Sequence, residues 1–179
     1  PGGPITRPVP TPTSSPASTP TPTPTVDDSL IENPMATNPS WSKLVDFLRE
    51  DKTDMLAPTP SDSLIKYGNE TRRFAVKLYN NAEKAGIKAG YVLVELYHPS
   101  VPEGLSAWWY LVAFDTSDRG LVYIDDMGQT GAGLSYNDAI AIVKVGSPYI
   151  RQFIPELIPD TGGWYYPTIG IIKSVSVTW

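Results

Sequence analysis

The chain has 179 residues, a formal net charge of -5, a pI near 4.8 and no cysteine. The acidic balance argues against a nucleic-acid binder, whose phosphates reward clustered Lys and Arg, and the missing thiol excludes thiolate chemistry. No apolar run reaches the roughly eighteen residues that a spanning helix needs.

Residues 1–25 are Pro, Thr and Ser with one charge, Arg7, and the run Thr19-Pro20-Thr21-Pro22-Thr23-Pro24-Thr25 is low in complexity. Such a stretch lacks apolar area to offset chain entropy and reads as an extended, polyproline-like spacer. The chain is divided accordingly into a disordered spacer, 1–32, and one domain, 33–179. Spacers of this kind separate a membrane or lipid anchor from an exported domain. With Pro as the first residue, an upstream signal or lipid anchor and an extracellular or cell-surface location are expected. An interdomain linker is the alternative.

Residues 38–48 predict an amphipathic helix with Ser40 as cap and Trp41, Leu44, Val45 and Leu48 on one side. Residues 51–63, with Pro58 and Pro60, read as a loop. Over 69–87, Phe74, Ala75, Leu78, Ala82 and Ala85 form an apolar stripe. Asn69 or Thr71 is the expected cap, Glu70 suits the positive end of the dipole, and Gly86 is the expected left-handed stop. The local basic group Arg72-Arg73 with Lys77 reads as the solvated face of this helix. Strands follow at 91–97, 107–114 and 121–125, with Asp118-Arg119-Gly120 as a turn. Residues 135–143 predict a helix, because Ser135 precedes Asp138 by three positions. Residues 146–163, broken by Pro148, Pro155, Pro159 and Gly162-Gly163, predict nothing regular beyond a short turn. Alternation of Val175, Val177 and Trp179 with Ser174, Ser176 and Thr178 predicts a half-buried strand over 169–179.

The order helix, Gly, strands, with the phrases Phe74-Ala75, Ala85-Gly86-Ile87-Lys88-Ala89-Gly90-Tyr91-Val92, Phe114-Asp115-Thr116 and Gly120-Leu121-Val122-Tyr123-Ile124-Asp125, resembles the transglutaminase-like superfamily over about residues 41–126. That resemblance implies an α+β, papain-like fold in which an antiparallel sheet carries a core helix packed across it. It also implies a Cys at the helix start, a His on a following strand and an Asp on the next. Here the Cys position is Thr71, the His position falls at Ser106, Trp108 or Trp109, and the Asp position is retained as Asp125, with Asp126 beside it. The degenerate triad is assigned to Thr71, Trp109 and Asp125, with no catalytic residue.

A hydroxyl nucleophile at Thr71 needs a base within hydrogen-bond reach, and Trp or Ser stands in the base position, so Thr71 reads as a helix-start residue. His98, at the end of a strand, reads as a surface residue. Asp115, Asp118, Asp125 and Asp126 offer oxygen ligands but lack the spacing of a calcium loop, and neither metal nor cofactor is expected. Trp108, Tyr110, Trp164, Tyr165 and Tyr166 are candidate ligand-binding aromatics, suited to a peptide or glycan of the cell surface. The competing reading is that they plug the space of a cleft. Two functions follow: a non-catalytic binding or structural module, or a hydrolase or acyl transferase using Thr71 or a Ser with Asp125.

Overall fold

The computed structural model describes residues 29–55, 64–98, 106–129, 136–157 and 168–179. Helix α1 (Trp41–Glu50) starts where Ser40 turns its hydroxyl back to accept from Lys43 N at 3.3 Å. Its first turn is pinned by the turn at 117–119: Trp41 N donates to Asp118 Oδ1 at 2.7 Å, and the Arg119 guanidinium lies 4.3 Å over the Trp41 ring. Trp41, Leu44, Val45 and Leu48 are buried, as the periodicity predicts.

Helix α2 (Leu64–Lys84) begins five residues before the predicted cap at Asn69, so neither Asn69 nor Thr71 caps it. Thr71 lies inside the helix, where its hydroxyl donates to Gly68 O at 3.0 Å, the local back-bond that a helical threonine makes instead of capping. The C-terminus is as predicted. Gly86 has φ +74°, Ile87 N donates to Ala82 O at 2.9 Å, and Gly86 N donates to Glu83 O at 3.0 Å. These two bonds close the last turn and aim the chain into the sheet.

The sheet has six strands: β1 (Gly90–Tyr97), β2 (Ala107–Thr116), β3 (Gly120–Gln129), β4 (Tyr136–Ile142), β5 (Ile150–Phe153) and β6 (Ile171–Thr178). All pairings are antiparallel, in the order β5-β4-β3-β2-β1-β6. The architecture is α+β. Two sequence expectations fail here. Residues 136–142 form a strand and not a helix, because Ala139 and Ala141 bury on one face while Ile140 and Ile142 point to the other, a period of two. Residues 150–153 form a strand within the supposedly irregular stretch, paired with β4 from Ile142↔Ile150 to Ala139↔Phe153.

The sheet curls until its outer strands meet. Gly146 N donates to Ile172 O, Ile172 N to Ser147 O and Tyr149 N to Gly170 O, at 2.8 to 3.0 Å, so the segment entering β5 bonds to the start of β6. The inner face carries Val92, Val94, Leu96, Trp109, Leu111, Ala113, Met127, Tyr149 and Ile172. The outer face of β2 and β3 packs Val112, Phe114 and Ile124 against α1 and α2. Residues 29–37 run back over α2: Asn33 N and Nδ2 donate to Glu83 Oε2 and O, and Lys88 N donates to Thr37 O at 2.9 Å.

Candidate functional site

β2 and β3 separate along their length. Their register runs from Thr116↔Gly120 to Val112↔Ile124 and stops there, because β3 bulges between Asp125 and Gly128. The edge of β2 from Ala107 to Leu111 is thereby left to α2. Tyr110 N, which would otherwise seek a strand partner, donates to Thr71 Oγ1 at 3.3 Å. One turn earlier, a Cβ on Gly68 would stand 2.9 Å from Trp108 O, so only glycine lets the helix approach the strand this closely. Phe74, on the next turn of α2, joins the inner-face cluster. Thr71 is thus a clip between helix and strand. Its proton goes to Gly68 O, its lone pair to Tyr110 N, and its side chain is buried.

Trp109 and Asp125 meet directly on the inner face. Trp109 Nε1 donates to Asp125 Oδ2 at 3.1 Å, Tyr149 Oη donates to the same oxygen at 2.7 Å, and Met127 N donates to Oδ1 at 3.0 Å. Arg151 stands 3.8 Å from Asp125 Oδ2 and donates to Met127 O at 3.0 Å. Burial, and then the neighbouring Asp125 charge, push the Tyr149 phenol well above its ordinary value, so it remains a donor. The carboxylate is buried, paired and bonded at both oxygens. Tyr149 and Arg151 escape a sequence reading because the inward series Tyr149, Arg151 and Phe153 is interrupted by a charge, while Ile150 points outward.

Asp126, next in the strand, faces the other way. Burial first, then Asp138 and Asp125, hold its carboxyl well above the usual range, and Oδ2 has no hydrogen-bond partner among the described residues. Asp138 is raised too, by burial and then by Asp54 and Asp51, while Asp54 is pushed up to about 6, mainly by burial. The four aspartates considered for calcium do not form one group. Asp115 accepts from Asn38 Nδ2, Asp118 accepts from Trp41 N, and Asp125 and Asp126 face opposite ways. Among the described residues no group of three His, Asp or Glu side chains is placed to hold a metal ion. His98 lies just after β1.

Trp108 and Tyr110 alternate with Trp109 and lie on the outer face. Trp108 is 42% exposed, and Tyr110 stacks at 5.8 Å on Tyr91 across the strand pair. Trp164, Tyr165 and Tyr166 lie outside the described residues, as do 1–28 of the spacer.

Compared with protein-family models, with curated proteins and with solved structures, the chain finds no match in any of the three. No described helix is long and apolar enough to cross a membrane.

Proposed function

We propose that this domain is a non-catalytic relative of the transglutaminase-like superfamily, working as a binding or structural module. The observation that carries the reading is the Trp109–Asp125 hydrogen bond: an indole, which can donate but cannot take a proton, is bonded to the carboxylate that the resemblance assigns to the triad. Thr71 supports it from the helix, since a hydroxyl already bonded to Gly68 O and Tyr110 N has no base to activate it. The Pro/Thr stretch supports exposure of the module at a cell surface, which protease accessibility of the domain on intact cells tests.

The full chain, incubated with peptide amides, p-nitrophenyl esters and acyl thioesters, is expected to give no turnover above background. A rate that Thr71→Ala, Ser106→Ala or Asp125→Asn removes overturns the reading and restores the hydrolase or acyl-transferase alternative.

A further inference from the structure

β1 is an interior strand with β2 on one side and β6 on the other, and its outer-facing residues are Tyr91, Leu93, Glu95 and Tyr97. The register sets Trp108, Glu95 and Ser174 in one row, then Tyr110, Leu93 and Ser176, then Tyr91 beside Thr178. Ser174, Ser176 and Thr178 are all exposed, so among the described residues neither helix covers this half of the sheet. Tyr97 is 52% exposed and follows Glu95 on the same face, so two aromatic rings flank one carboxylate. Side chains in such directly opposed and diagonal positions lie about 5–8 Å apart, within reach of one sugar ring.

The carboxylate between the rings is organised. Ser106 Oγ donates to Glu95 Oε1, Ser174 Oγ donates to Oε2 at 3.0 Å, and Lys173 Nζ donates to Oε1 at 3.3 Å and to Ser106 Oγ at 3.2 Å. The β-bulge where Glu95 pairs with Ser174 but Leu96 pairs with Ile172 gives β6 an extra residue, and that residue is Lys173. The bulge brings the ammonium onto the carboxylate's side. The hydrogen bond from Ser106, then that from Ser174, holds Glu95 below the ordinary carboxylate range, so it remains an acceptor.

We propose that this face is a carbohydrate-binding surface, on which Trp108 and Tyr97 take the C–H faces of a neutral pyranose chain while Glu95, Ser106, Lys173 and Ser174 bond its hydroxyls. The inference rests on the non-catalytic binding reading and names its ligand class. Exposed indole beside fixed donors and acceptors matches what a pyranose presents, an apolar ring face edged by hydroxyls. Glu95 and Lys173 cancel each other's charge, which favours an uncharged ligand over an ionic one. A peptide added as a strand takes its bonds from the main chain of a sheet edge, whereas these groups are side chains projecting from the face of β2, β1 and β6.

The test is a titration of the full, ¹⁵N-labelled chain with cellohexaose, laminarihexaose and chitohexaose, and with a proline-rich decapeptide, watching the indole N–H signals of the five tryptophans. At least one hexasaccharide is expected to move the Trp108 signal, assigned with Trp108→Phe, and to leave Trp109, bonded to Asp125, unmoved. Trp108→Ala is expected to raise the Kd about tenfold or more, stacking being the larger contribution. Glu95→Gln keeps the shape and is expected to raise it about threefold. If no sugar moves Trp108, or if Trp108→Ala and Glu95→Gln both bind as the parent does, the proposal is overturned. A shift with the decapeptide alone replaces sugar by peptide. Turnover in the hydrolysis assay sinks the non-catalytic reading without touching the titration result.

Discussion

Asp125 and Arg151 are both buried and stand 3.8 Å apart, so removing either takes the opposite charge away from the other. Asp125→Asn and Arg151→Met are each expected to cost about 3–5 kcal/mol, read from urea midpoints, while the double change costs much less than the sum. Additive losses would show that the two do not act as a pair. Next to them, Asp126 and Asp138 give a pH dependence of fixed sign. Burial first, then the neighbouring aspartates, hold their folded carboxyls well above the ordinary aspartate value of about 3.9, so the folded chain binds more protons than the unfolded one from about pH 4 upward. Their contribution to stability is complete below that pH and is lost as pH rises towards the folded values. Asp126→Asn, which is neutral throughout, is expected to raise Tm at about pH 8 and to leave it nearly unchanged at about pH 4. The opposite pattern, with the gain confined to acid, would sink the assignment. That two successive acids on a strand must face opposite ways is legible in the sequence. Which partners await each is not, because Tyr149, Arg151 and Asp138 come from elements whose type the sequence disguises.

The α2–β2 contact depends on two small features one turn apart. Gly68→Val would drive a branched side chain into Trp108 O, and the expected cost is about 1–3 kcal/mol with α2 pushed off the strand. Thr71→Val keeps the volume but leaves Tyr110 N without its acceptor, at about 1–2 kcal/mol, and Thr71→Ser is expected to recover most of that. Equal stability of the Val and Ser variants would remove the clip from the account. Elements that carry their own stop signals were readable: Ser40 starts α1 and Gly86 ends α2 through bonds made within a few residues. The β4 sequence imitates a helix start because Ser135 and Asp138 have the spacing of a cap, although the alternation from Ala139 to Ile142 has the period of a strand. In that strand Asp138 is buried, and its charge bears on Asp126. β5 is invisible for a different reason, since the most buried of its four residues is the charged Arg151, which meets Asp125 on β3.

At the scale of the whole molecule, two long-range closures hold the layers in place: the segment 146–149 against β6, and residues 29–37 against the α2–β1 corner. The second lends itself to a direct test. Glu83 is only 3% exposed, and its carboxylate accepts from Ala89 N at 2.7 Å on one oxygen and from Asn33 N at 3.0 Å on the other. Thr37 adds a short parallel bridge, accepting from Lys88 N and donating to Gly86 O. Without residues 29–37, one Glu83 oxygen loses its donor and the first residues after α2 lose their bridge. A chain starting at Asn38 is therefore expected to be less stable than one starting at Ser29 by at least about 2 kcal/mol, the usual cost of stripping partners from a part-buried charged group. Asn33→Ala in the full chain loses the side-chain bond to Glu83 O and the exposed one from Met35 N, and is expected to cost about 1 kcal/mol. If the two truncated chains melt together, residues 29–37 contribute nothing to the fold. If only the shorter one is destabilised, and Asn33→Ala falls between them, the corner of α2 and β1 owes its position to a segment some fifty residues upstream of Glu83.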